Sequence, residues 1–155
     1  MQVSIGNYTE DGTERKVEIE VHPWDTWGMD QTLSLIIVPM LKQLKESKRG
    51  APYVNDEDVP EELRSTSAKP KENDWDTDEF HFKRWDYVIE EMQWGFQQIV
   101  EGGNEGQFYD HSVDFTDAYR RFAKLKVNHE GLQEHQDRIR NSTRLFGVYF
   151  QNLWD

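Results

Sequence analysis

The stretch His22–Leu44, HPWDTWGMDQTLSLIIVPMLKQL, decides how this chain is read. Two tryptophans and two aspartates, Trp24, Asp25, Trp27 and Asp30, crowd into its first half. Behind them Leu33, Ile36, Ile37, Met40, Leu41 and Leu44 recur at the spacing of one helical face. The spacing predicts a helix over 27–48. Pro39 removes one backbone donor inside it and predicts a kink. Lys42, Lys45, Lys48 and Arg49 fall in or just after its last turns, where cations complement the helix dipole, and Gly50 is a stop signal. Asp30 reads as the N-cap, Pro23 and Asp25 as the turn that enters the helix, and Trp27 and Met29 as its base. The same residues would also suit a binding site built on a helix entrance.

Upstream, the pattern changes from a helical to a strand period. Val3 and Ile5 alternate with polar residues, as do Val17, Ile19 and Val21, and Asp11-Gly12 between them is a turn dipeptide. Residues 1–22 are therefore read as a β-hairpin. Downstream, residues 51–78 form a long acidic loop rich in Pro, Ser, Asp and Glu, with one helical turn expected at Pro60–Leu63 capped by Asp58. Its part from Ser65 to Asn73 reads as the most mobile. A second helix over 79–100 has Phe82, Trp85, Val88, Ile89, Met92, Phe96 and Ile99 on its inner side and ends at Gly102-Gly103. A third over 129–153 starts behind Asn128, with Leu132, Ile139, Leu145, Phe146, Tyr149, Phe150 and Leu153 facing inward. Between them, residues 104–127 fit either a helix behind Thr116, using Phe115, Ala118, Tyr119, Phe122 and Leu125, or a short strand pair. The expected fold is mainly α with a small β part: three to four helices packed as a bundle with an N-terminal β-hairpin, in one domain over 1–155.

The totals narrow the function. The 155 residues carry 30 acidic and 18 basic side chains, a net charge of −12, which disfavours direct nucleic-acid binding and adhesion to anionic membranes. A basic protein partner is favoured. Six Trp, six Tyr and eight Phe argue for a folded core built on large rings. The absence of cysteine excludes disulfide scaffolds, thiol nucleophiles and Cys-ligated zinc. The N-terminus lacks the apolar core of a signal peptide, and the run Leu35–Leu41 is too short to span a bilayer, so a cytoplasmic protein is expected.

Four strings are familiar together: WDTWGMDQTL, PMLKQLKESKRGAPYVNDEDVPEELRS, FHFKRWDYVIEEM and RLFGVYFQNLWD. In this order they resemble a family of uncharacterised proteins encoded by tailed bacteriophages, over about residues 15–101 and 128–155. The resemblance implies an accessory protein acting in the cytoplasm of an infected bacterium. It brings no established activity and no catalytic residue. The chain departs from the pattern between Gly103 and Val127, where members carry a longer segment. Members often have His where Gln31 stands, so position 31 is not read as an essential ligand.

Three constellations have the residue types for chemistry. The first is a partner or ligand site of Trp24, Asp25, Trp27, Asp30, Arg84, Trp85 and Arg144, in which Arg84 or Arg144 would pair with Asp25 or Asp30 beneath the tryptophan rings. Its competing reading is a buried ion-pair network with capping. The second is a hard-cation site of Asp56, Asp58, Asp74, Asp76 and Asp78 in the acidic loop, although the glycine of a calcium loop is absent; a solvated acidic loop competes with it. The third, acid–base catalysis by paired carboxylates, is uninformative among 30 acids. His22, His81, His111, His129 and His135 lack zinc-site spacing, and no nucleophile elbow, P-loop or dinucleotide glycine pattern is present. No cofactor is expected. The expected function is a non-enzymatic phage accessory protein that binds a bacterial host or defence factor through an acidic surface. The alternatives are a sponge for a small nucleotide signal in a Trp/Arg pocket and a metal-dependent enzyme using the acidic loop. A homo-oligomer is compatible with either binding role.

Overall fold

The computed structural model describes residues 1–12, 14–110 and 126–154. The helix or strand pair expected around Phe115–Leu125 lies outside the described residues. The chain is mainly α with a small β part. Strands β1 (Gln2–Tyr8) and β2 (Arg15–Glu20) form an antiparallel hairpin, and helices α1 (Met29–Ser47), α2 (His81–Val100) and α3 (His129–Val148) follow.

α2 is the central helix, packed by α1 on one side and α3 on the other. Its apolar residues recur at three and four, so Trp85, Val88, Ile89 and Met92 are fully buried, with Phe96 beside them. Each such side chain contributes roughly 1.5–3 kcal/mol by leaving water. Leu41 of α1, Leu145 and Tyr149 from α3 and its end, and Val59 of the long loop complete the core. Phe96 meets Phe146 edge-on at 4.9 Å, and Trp85 meets Tyr149 at 5.8 Å, the geometry that ring quadrupoles favour. Where α2 crosses α3, Gly95 lies against Ser142, and a Cβ on Gly95 would overlap the Ser142 Cβ and Oγ. Nearby, Arg138 of α3 forks onto Glu91 of α2 (2.7 and 3.0 Å) and lies 3.8 Å over the Trp94 ring.

Helix ends follow local chemistry. The Asn128 side chain accepts from the Gly131 N–H (3.1 Å), as its N-cap role predicts. Gly102 and Gly103 close α2 with φ of 74° and 85°, a region costly for any side chain. α1 starts differently from the expectation. Its N-cap is Gly28, without a side-chain cap, and Asp30 lies inside the first turn. The capping chemistry belongs to the preceding 3-10 turn Pro23–Thr26, where Asp25 accepts from the His22 N–H (2.7 Å) and His22 Nδ1 accepts from the Trp24 N–H (3.3 Å). α1 continues through Pro39, which lies on its exposed side next to an exposed Leu35, where water can serve the orphaned carbonyl. Lys45 and Lys48 are more than dipole partners: they reach Glu90 and Asp86 of α2, each at 2.6 Å.

All three expected inner stripes are wider than the surface that covers them. On α1, Leu41 is buried and Ile37 and Leu44 are half-buried, but Leu33 and Met40 are exposed. On α2 Phe82 is exposed, and the third helix stops at Val148, short of the expected 153, so that the exposed Phe150 falls in the 3-10 turn Phe150–Asn152 behind it. Periodicity reports the apolar width of a helix; the neighbour decides how much of it is covered. Among the described residues, no helix is long and apolar enough to cross a membrane.

Candidate functional site

The long loop between α1 and α2 is fastened rather than free-running. It makes three 3-10 turns, Asp56–Asp58, Glu61–Leu63 and Ser65–Ser67. Asp58 does not cap the second of these. Its side chain is only 1% exposed and receives three donors: the Tyr149 hydroxyl (2.6 Å), the Arg144 guanidinium and the Asn55 amide (3.4 Å). The Tyr149 hydroxyl in turn accepts from the Asn55 N–H (3.0 Å). Burial alone would raise the Asp58 pKa, but the Tyr149 and Arg144 hydrogen bonds outweigh it and hold the carboxyl below its usual value. Burial, and then the hydrogen bond to Asp58, push the Tyr149 hydroxyl up to about 12. A second anchor is Arg84 of α2, buried and bonded to Asp78 (2.5 Å) and the Leu63 carbonyl (3.0 Å). The Arg84 hydrogen bond is the largest cause of a lowered Asp78 pKa. A third is Asp56, which accepts from the Ser65 hydroxyl and N–H and is lowered first by that hydroxyl.

The expected metal ligands are therefore dispersed. Asp56, Asp58 and Asp78 are held by Ser65, by Tyr149 with Arg144, and by Arg84, while Asp76 accepts from the Asn73 amide (2.9 Å) and the Asp74 carbonyl from Lys71 (3.1 Å). Among the described residues, no three His, Asp or Glu side chains converge as a metal site would require. Millimolar calcium or magnesium should shift the melting temperature by less than about 1 °C, because a ligand stabilises only by binding the folded state. Differential scanning fluorimetry checks this.

The sign of the pH dependence follows from the lowered carboxylates. A group depressed in the folded state adds stability that is present above its unfolded pKa and is lost as pH falls through the folded one. The melting temperature should be flat from neutrality down to about pH 4 and fall below it, as Asp56, Asp58 and Asp78 are protonated. Circular dichroism melts across that range test it. The raised Tyr149 works in the opposite direction: its contribution is complete below pH 10 and is lost as pH rises through about 12.

The expected Trp/Arg constellation divides into three places. Arg84 and Trp85 belong to the loop anchor and the core, where the Trp85 indole N–H has no hydrogen-bond partner. Arg144 pairs with Asp58. Neither arginine meets Asp25 or Asp30: Asp25 pairs with the Met1 amino group (2.7 Å), and Asp30 stands at the start of α1, its carbonyl accepting from Ser34 (2.6 Å). Gln31 is structural and donates to the Val100 carbonyl (3.1 Å), tying the start of α1 to the end of α2. The sequence reading missed Tyr149, Asn55 and the Glu91–Arg138–Trp94 clamp as organising groups.

Trp24 and Trp27 occupy the third place. Their rings stack at 5.4 Å with planes 23° apart, and the residues are 68% and 82% exposed. The turn Pro23–Thr26 presents them, fixed by Thr26 Oγ1 donating to the Pro23 carbonyl (2.8 Å) and Thr32 Oγ1 to the Asp25 carbonyl (3.3 Å). Met29, Leu33 and Met40 continue the exposed apolar stripe along one side of α1. An open cleft of about 1000 Å³ lies elsewhere, between the long loop and α2, with Arg84, Lys69 and Lys71 set against Asp56, Glu57 and Asp78.

The fold and the site together define a helical domain with a hairpin and an open, preorganised aromatic face. Comparison of the chain with protein-family models, curated proteins and solved structures finds no match.

Proposed function

We propose that this chain is a non-enzymatic binding protein whose partner docks on the Trp24–Trp27 face. The carrying observation is the stacked, exposed tryptophan pair on a hydrogen-bonded turn. Tryptophan is the residue most enriched among those that dominate interface energies, and a ring held in place before binding loses little entropy on docking. An apolar stripe next to it marks a protein contact more readily than a solvent-facing helix. With a net charge of −12, the surroundings favour a partner with a basic rim. If the chain is encoded by a tailed phage, as the resemblance implies, that partner is a bacterial host or defence protein met in the cytoplasm.

The nucleotide-sponge reading has less support. The cations of the cleft stand opposite an equal number of carboxylates, and the exposed tryptophans do not line it. The metal-enzyme reading lacks converging ligands among the described residues.

Tagged wild-type protein and a Trp24→Ala/Trp27→Ala variant, used as parallel baits in bacterial lysate, test the proposal. The variant should melt within about 0.5 kcal/mol of wild type, since exposed side chains contribute little to stability. It should lose the partner that the wild type retains, with affinity at least tenfold weaker by titration, about 1.4 kcal/mol. Equal retention by both baits would refute the proposal.

A further inference from the structure

The hairpin poses a problem that α1–α3 do not. Its two strands pair with Val3 opposite Ile19 and Ile5 opposite Val17, so these four apolar side chains share one face, and all four are exposed. A two-stranded hairpin is marginal in water; a third strand or a covered apolar face is normally needed. Among the described residues the sheet has two strands, so each presents an outer edge that no described strand pairs.

The two edges differ in chemistry. β2, RKVEIE, carries Arg15, Lys16, Glu18 and Glu20, charges of the kind that discourage strand addition. β1, QVSIGNY, has no charged residue and no proline. In a chain of net charge −12, that neutrality matters most for a second copy. Two copies repel wherever acidic surfaces approach, and like charges opposite each other destabilise strand pairs. Along β1 no acidic side chain opposes the approach, and the one cation at its end, Arg15 of the same hairpin, is turned onto the Gly6 carbonyl (2.7 Å) and the Tyr8 ring. The register breaks between Ile5 and Tyr8, so the regular part of β1 ends near Gly6, and Ser4 is the midpoint of Gln2–Gly6.

We infer that β1 pairs antiparallel with β1 of a second copy about a two-fold axis at Ser4, forming a four-stranded sheet across a homodimer. Ser4 then meets Ser4, and Val3 meets Ile5 of the other copy. The same-face rule for directly opposed residues keeps Val3, Ile5, Val17 and Ile19 of both copies on one side, a continuous apolar face of eight side chains. No charged residue meets another across the new edge. Pairing over five residues is small beside a standard interface of about 800 Å² per partner, so the dimer is expected to be a weak one, sought at micromolar concentration and above. The inference is independent of the tryptophan face.

The test exploits the absence of cysteine. Directly opposed residues in an antiparallel pair have Cα atoms within disulfide range. Ser4→Cys should form a disulfide-linked dimer under mild oxidation at least tenfold faster than the control Glu18→Cys on β2. Sedimentation equilibrium of the unmodified chain should show a concentration-dependent monomer–dimer equilibrium. Ile5→Lys should weaken it at least tenfold while leaving the helical circular dichroism unchanged, since the core uses no hairpin residue. A strictly monomeric mass throughout the micromolar range would overturn the inference, as would equal crosslinking rates for the two cysteine variants. Crosslinking of Ser4→Cys in lysate to a foreign chain in place of its own would also overturn it.

Discussion

Gly95→Ala is expected to cost about 2–3 kcal/mol, a large share of the roughly 5–15 kcal/mol that holds a domain together. In an ordinary helix the same change would gain about 1 kcal/mol, because alanine loses less backbone entropy. Here the new methyl group would occupy the space of the Ser142 Cβ and Oγ, in a contact from which water is excluded. Ser142 cannot swing aside without leaving the carbonyl of Arg138, to which it donates at 2.9 Å. The helices must separate, and the Arg138 clamp on Glu91 and Trp94 opens with them. Gly147→Ala supplies the contrast: that glycine lies in the same pair of helices with open space around it, and should gain up to about 1 kcal/mol. Urea denaturation of both variants measures the difference. Adding Ser142→Gly to Gly95→Ala should recover part of the loss, since contacting residues do not act additively.

The second large effect is expected from Asp58→Ala, at about 3 kcal/mol. The carboxylate is buried beneath the loop, and its removal leaves the buried Tyr149 hydroxyl without its acceptor, while the half-exposed Arg144 keeps only Asn141 (2.9 Å). It also releases the loop beside Val59, which belongs to the core. Arg144→Ala should cost only about 1 kcal/mol, because the Arg144 side chain is 47% exposed and Asp58 keeps Tyr149 and Asn55. Limited proteolysis should cut the Asp58→Ala loop well before that of the wild type. If the two variants are equally mild, Asp58 is not what fastens the loop.

Much of this architecture can be read from local pattern. The alternation of Val3, Ile5, Val17 and Ile19 marks the hairpin, the Gly102-Gly103 pair marks the end of α2, and Asn128 marks the start of α3. These are decisions taken within a few residues, where one side chain or one backbone angle settles the outcome. The site was less legible for a physical reason. Asp58 and Arg144 stand 86 residues apart, and nothing near either one names the other. With 30 acids and 18 bases, many pairings satisfy charge equally well, so Arg84 was matched to Asp25 or Asp30 when its partner is Asp78, six residues away. Asp56, Asp58 and Asp78 carry the signature of a cation site, yet the cations they meet are guanidinium groups or they bond to hydroxyls instead. His22–Asp30 is a helix entrance, as its residues suggest, but with Gly28 and not Asp30 at the cap. The reading of Trp27 and Met29 as its base fails, because both project outward.

Oxidative footprinting of Trp24 and Trp27, in the free protein and in the complex recovered from lysate, tests the central claim most directly. Both indoles should oxidise readily in the free protein and become strongly protected when the partner is bound, while Trp85, buried in the core, stays unreactive in both. Protection of Trp24 and Trp27 in the free protein, or equal oxidation with and without the partner, would contradict an account in which this face is the docking surface.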